Sequence, residues 1–238
     1  MSRQFVARLG MAVVAASFAA ANVVSGQDLS PQEQVVALKI SLAASQAVVR
    51  QHEWIETTIV RLKGEEKSRF QNRCYYGADG QLQKVQVVAP PEQKKKRGLR
   101  GAIVEHKKEE LTDYMKAAVE LVKAYAPPEQ ARVQAARDAG KVTLTPMPGA
   151  GKRLWLSFAD YLKPGDRLAV DMNLATSQLL GVRVSSYLDT PEDPVTMNAT
   201  FATFTDGKTS YAKQVMLDAP AKQLQVEVQN SGYRKIAP

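Results

Sequence analysis

Between Leu154 and Val228 the chain repeats one pattern six times: a run in which apolar and polar residues alternate, then a turn. Leu154, Leu156 and Phe158 alternate with Trp155, Ser157 and Ala159. Leu168, Val170, Met172 and Leu174 alternate with Ala169, Asp171 and Asn173. Leu180, Val182 and Val184 follow, then Val195, Met197, Ala199 and Phe201, then Tyr211, Val215 and Leu217, and finally Leu224, Val226 and Val228. Period-two alternation gives each strand one dry and one wet face. Turns at Pro164-Gly165-Asp166, Asp189 to Pro194 and Asp206-Gly207 are too short for parallel crossovers, so the runs form an antiparallel meander. Its dry face demands a cover.

The upstream chain supplies both more sheet and the cover. Ser30-Pro31-Gln32-Glu33 reads as a helix start, with a capping serine, proline in the first turn and glutamate three residues on. Val35, Leu38, Leu42 and Val49 recur at helical spacing. Ala43, Ala44 and Ala47 widen that surface, which predicts a helix laid closely on another element. His52 to Leu62, Lys67 to Tyr76 and Gln81 to Val88 read as three strands joined by turns at Gly64 and Asp79-Gly80. A second helix carries Leu111, Tyr114, Met115, Ala118, Leu121, Val122 and Tyr125 as one apolar stripe. Pro127-Pro128 ends it, and a shorter helix runs from about Glu129 to Ala139, with Gly140 as its left-handed cap. The fold class is therefore α+β, an antiparallel sheet with helices packed as a lid on one face.

Two features bear on location and partners. Met1 to Gly26 has the layout of a secretory signal: Arg3 and Arg8, an apolar core from Met11 to Val24, then Ser25-Gly26. That core is shorter than the ~20 residues needed to span a bilayer. Cleavage would leave a single domain, residues 27–238, in the periplasm or the medium. The formal charge of +8, which falls to +6 without Arg3 and Arg8, then favours an anionic envelope surface over nucleic acid, or simply aids solubility. Within the loop 89–101 that precedes the helical insertion 102–140, Lys94, Lys95, Lys96 and Arg97 form one cationic run. It either docks on anionic lipid, at about 1 kcal/mol per cation, or is merely solvated. Cys74 is the sole cysteine, so no intrachain disulfide forms, and its strand context suits a small core residue.

The search for chemistry is negative. His52 and His106 are the only histidines and stand in no ligand spacing, so neither a metal nor a cofactor is expected. Ser210-Tyr211-Ala212-Lys213 has the letters of a serine acyl-transferase motif but falls at a strand start and lacks the partner motifs. Gly207-Lys208-Thr209 ends like a phosphate loop but lies in a hairpin, with Ala202 where the first glycine belongs. Asp189, Glu192 and Asp193 read as an acidic surface turn. No enzyme activity is expected.

The order of elements resembles the outer-membrane lipoprotein-carrier superfamily, LolA/LolB-like, with the related RseB-like periplasmic lipid-binding domains. The resemblance lies in a leader, a long apolar helix, three strands, a helical insertion and a long meander, across nearly the whole mature chain. It implies a half-barrel, an incomplete barrel whose concave face is lidded by helices over an acyl-chain cavity. Apart from any resemblance, each methylene buried in such a space contributes ~0.8 kcal/mol. Trp54, Phe158, Met172, Val184, Met197, Phe201 and Met216 are the expected lining, unless they fill a solid core instead. Two functions follow. One is a carrier or sensor for a lipid, an acylated protein or another amphiphile, with peripheral membrane contact. The other is a non-catalytic envelope module that binds a protein or an anionic polymer through the basic loop or a sheet face.

Overall fold

The computed structural model describes residues 31–88, 99–125, 128–148 and 152–236. The candidate signal and the Lys94–Arg97 run lie outside the described residues, as does Ser30. Helix α1 (Pro31–Val49) leads into strands β1 (His52–Leu62), β2 (Glu65–Tyr76) and β3 (Leu82–Val88). Helices α2 (Leu99–Lys123) and α3 (Gln130–Asp138) follow. The remainder is β4 (Val142–Pro146), β5 (Arg153–Ala159), β6 (Arg167–Asn173), β7 (Gln178–Tyr187), β8 (Pro194–Thr203), β9 (Ser210–Ala219) and β10 (Leu224–Lys235).

All ten strands join one open antiparallel sheet in the order β3-β2-β1-β10-β9-β8-β7-β6-β5-β4. The two stretches of strand meet where β1 pairs with β10. The chain thus leaves the sheet at one edge, β3, and returns at the other, β4. The segment holding α2 and α3 has to cross the sheet, and its length follows from that.

Register turns alternation into a continuous dry surface. One row runs Leu144, Leu156, Val170, Val182, Ala199, Val215, Val228, Thr58, Phe70 across nine strands. Thr58 is the single polar member. The next row contains Phe158, Leu168, Val184, Met197, Leu217, Val226 and Val60. Met115, Ala118, Val119 and Val122 of α2 share a core with these residues. The opposite face is polar: Arg153 forks onto Asp171, Arg61 pairs with Glu227, and Arg183 lies 4.7 Å over the Trp155 ring.

Helix α2 is anchored by hydroxyls as well as by its stripe. Tyr125, just past its end, donates to Asp166 and accepts from the Ser186 hydroxyl, and Tyr114 donates to Asp193. Asp166 also accepts the backbone amides of Tyr161, Leu162 and Lys163. A buried carboxylate is tolerated only when its lone pairs are this well used. Burial raises the hydroxyl pKa values of both tyrosines above the ordinary phenol, and their aspartates add to the rise.

Several expectations change. Residues 99–101, expected in the loop, open α2. Strand β4 was not expected; it is a short edge strand whose threonines and proline blur the alternation. Ala43, Ala44 and Ala47 are exposed together with Val36 and Ile40, so the alanine side of α1 is not the side laid on the sheet. A register shift between β6 and β7 places Leu179 inward and leaves Leu180 half-buried. A bulge costs one residue of register, and one residue reverses a face.

Candidate functional site

The inward face does not pack solidly everywhere. Between α1, the end of α2 and the sheet lies a cavity of about 220 Å³. For scale, an engineered cavity of roughly 150 Å³ lined by aliphatic residues binds benzene. Helix α1 contributes Ser45, Gln46 and Val49, α2 contributes Val119 and Val122, and the sheet contributes residues from β6 round to β3. Strands β1 and β6 are five places apart, about 24 Å in a flat sheet. Trp54 of β1 and Val170 of β6 nonetheless line the same space, so the sheet curls around it.

Of the seven expected lining residues, the cavity holds Trp54, Met197 and Phe201. Phe158, Met172 and Val184 are no more than 1% exposed and sit in the filled core beside it. Met216 faces the other way. It alternates with Val215 and Leu217, which line the cavity, and it pairs with Asn198 and Glu227 on the polar face. Register reverses this expectation, because the residues of β9 were read without their partners. The remaining lining was missed for a different reason. Tyr76, Tyr211, Val228 and Tyr233 are spread over three strands, and only the β1–β10 pairing brings them together.

One end of the cavity is aromatic. Trp54 stacks on Tyr233 at 5.4 Å between ring centroids, Tyr233 meets Tyr211 at 4.3 Å, and Phe204 joins both tyrosines. Trp54 Nε1 donates to Asn230 Oδ1 at 3.1 Å, which satisfies the indole where it is buried. Burial raises the Tyr233 hydroxyl well above an ordinary phenol. Helix α1 is tied down nearby, where the Ser210 amide donates to Ser45 Oγ at 3.0 Å.

The same end carries a polar corner. Glu56 lines the cavity and receives the Lys84 ammonium on both oxygens at 2.6 Å, with side chains 9% and 6% exposed. Asn72 is the cross-strand partner of Glu56, and Thr58 lies two residues along on the same face. Asn72 Nδ2 and Thr58 Oγ1 are buried without a hydrogen-bond partner. Each such orphan costs about 1–3 kcal/mol. Cys74, fully buried between Trp54 and Lys84, has its thiol pushed up to about 12, mainly by burial. It is a protonated, unreactive packing residue at neutral pH.

The motifs with catalytic lettering separate in space. Ser210 faces the cavity while Lys213 is the bulged, exposed residue of β9. His52 Nδ1 lies 2.7 Å from the Val48 carbonyl oxygen. Among the described residues no three metal-ligating side chains converge, and no helix is long and apolar enough to cross a membrane.

A solved DUF1329 family protein from Desulfovibrio piger is similar over 84% of this chain and 92% of that one, at 9% identity and a TM-score of 0.35. MucB, in complex with MucA(peri), is similar over 84% of this chain and all of its own, at 10% identity and a TM-score of 0.22. No protein-family model and no curated protein matches the sequence. Likenesses this faint assign neither family nor activity, and the functional reading rests on the cavity.

Proposed function

We propose that this chain is an exported, non-catalytic carrier or sensor that holds the hydrocarbon part of a lipid or similar amphiphile between α1, α2 and the sheet. The observation that carries the reading is the cavity itself, a space walled chiefly by aliphatic and aromatic side chains in an otherwise close-packed core. Close packing is the rule in protein interiors, and an apolar void sacrifices dispersion contacts unless something occupies it. An alkyl chain restores those contacts and gains ~0.8 kcal/mol for each methylene removed from water. In this reading α1 is the removable part of the lid. Its inward residues at the cavity are small or slender, and Ser45 ties it to β9 through one hydrogen bond to Ser210. Export rests on the leader-like residues 1–26, and the carrier design is the one implied by the resemblance to lipoprotein carriers.

The test is titration of delipidated protein with N-phenyl-1-naphthylamine, whose fluorescence rises in apolar sites. Saturable binding is expected, with loss of at least tenfold in affinity for Phe201→Asp or Met197→Asp, because an unpaired carboxylate in the cavity is strongly disfavoured. Absence of saturable binding, or equal binding by both variants in folded form, overturns the carrier reading.

A further inference from the structure

Among the described residues, two charged side chains line the cavity, Glu56 and Lys123, and they stand in opposite settings. Glu56, at the aromatic end, holds the Lys84 ammonium on both oxygens in a nearly sealed pair. That pair is dry and neutral as a unit. Lys123, in the last turn of α2, is 30% exposed, and its ammonium lies 2.7 Å from Glu120, whose side chain is 71% exposed. Glu120 is not part of the wall. A surface pair three residues apart on one helix contributes little and gives way readily to another ion. Helix α1 brings Ser45, Gln46 and Val49 to the cavity and so adds no charge. The last carbonyls of α2 do not offset the lysine either. Those of Glu120, Leu121 and Val122 accept the amides of Ala124 and Tyr125.

Resting on the carrier reading above, we infer that the ligand is an anionic amphiphile, a carboxylate or phosphate on a hydrocarbon chain, held with its charged end at Lys123 and its chain running inward toward Trp54. The aromatic end excludes a charged headgroup of either sign. An anion there would compete for Lys84 and leave Glu56 buried and uncompensated, and a cation would compete for Glu56 and strand Lys84. Removing one partner from a buried pair is severely unfavourable. At Lys123 a headgroup keeps part of its water and still gains an opposite charge. The lysine itself shows the geometry: its stem belongs to an apolar wall while its ammonium reaches the solvent boundary. An amphiphile lying alongside would bury its tail and wet its head in the same way. The sign follows, because Lys123 is the one wall charge that is not neutralised inside the fold. The alkyl portion then passes Val119 and Val122 and extends along Val215 and Val228 beneath α1.

Four amphiphiles of one chain length test this by displacing N-phenyl-1-naphthylamine at pH 7: dodecanoate, monododecyl phosphate, dodecanol and dodecylamine. An anion is expected about threefold ahead of the alcohol and about tenfold ahead of the amine, since a partly exposed charge attracts one sign and repels the other by similar modest amounts. Which anion leads tells a carboxylate ligand from a phosphate one. The deciding quantity is the change in ranking when Lys123 is altered. Lys123→Gln is expected to bring anions and amine within about twofold of each other, and Lys123→Glu to put the amine ahead. Both variants should bind the uncharged naphthylamine within about twofold of wild type. Lys67→Gln removes the same charge from the exposed start of β2 and should keep the wild-type ranking. An anion preference that is absent in wild type, unchanged in Lys123→Gln, or lost equally in Lys67→Gln assigns Lys123 to its surface pair alone and overturns the inference while the carrier reading stands. Failure of the naphthylamine to bind overturns both.

Discussion

The inward face of this sheet behaves as two surfaces. In one part it is solid: Leu156, Phe158, Leu168, Met172 and Val184 are at most 1% exposed in the filled core. Around the cavity, which reaches from Val170 of β6 to Leu82 of β3, it is hollow, and Phe201, Tyr211, Val215 and Val228 are only half-buried. The strands of both regions alternate in the same way, so the difference comes from what covers them. Helix α2 presents Tyr114, Met115 and Leu121, long side chains that pack into the filled core. Helix α1 presents Ser45, Gln46 and Val49 to its half and turns three alanines outward. A sheet of constant pattern becomes core or container according to the reach of the helix above it.

The largest effect expected from this contrast is in stability. Phe158→Ala should lower unfolding free energy by about 3–5 kcal/mol, while Phe201→Ala, already beside empty space, should cost about 1–2 kcal/mol. Urea denaturation of the two variants compares them directly, and equal losses would erase the distinction between solid and hollow halves. Adding volume should separate the halves in size of effect. Ala118→Leu in α2, fully buried against the core, should destabilise by about 1–3 kcal/mol through overpacking. Ala199→Leu, at the cavity wall, should leave stability within about 1 kcal/mol and abolish naphthylamine binding by filling the space. Retained binding in Ala199→Leu would place the probe elsewhere.

How much of this contrast is legible in the residues themselves depends on the range of the interaction. Strand and helix positions are written locally: His52–Leu62, the α2 stripe and all six runs of the meander follow from period and turn residues. Alternation marks Met197 and Met216 alike as apolar strand residues, yet they lie on opposite faces, because facing depends on register with neighbours far along the chain. The β6–β7 shift exchanges Leu180 for Leu179 for the same reason. The polar corner is the least legible. Thr58 and Asn72 are ordinary strand residues until β1 pairs with both β2 and β10, which sets them beside Glu56 and Val228. A cavity is a mismatch between two surfaces, and neither surface records it alone.

A smaller effect probes the seam between the halves. Tyr125 belongs to the filled core and also to the cavity wall, and its hydroxyl is bonded to Asp166 and Ser186. Tyr125→Phe keeps the ring and removes those bonds, so a loss of about 1–2 kcal/mol is expected. Asp166 retains its three backbone donors, which keeps the loss from being larger. If α2 is fixed independently of ligand, probe affinity should stay within about twofold. A larger change would mean that the solid half sets the width of the hollow one.

The weakest expected effect lies on the polar face behind the cavity. Hydrogen bonds from Gln229 and Arg61 hold the Glu227 carboxyl below the ordinary glutamate value of 4.5. A depressed folded-state pKa means that the ionised form stabilises the fold. That contribution is fully present above the unfolded value and is lost as pH falls through the lower, folded one. Wild type should therefore exceed Glu227→Gln in stability at pH 7, by about 1 kcal/mol or less given how exposed Arg61 is. The gap should close as the pH is taken from about 5 down to 3. Met216 shares this outer face, and the cavity lies on the other side of the same strands. Probe affinity in Glu227→Gln should then equal wild type at pH 7, and a shift would show that the floor of the hollow half is held in shape from behind.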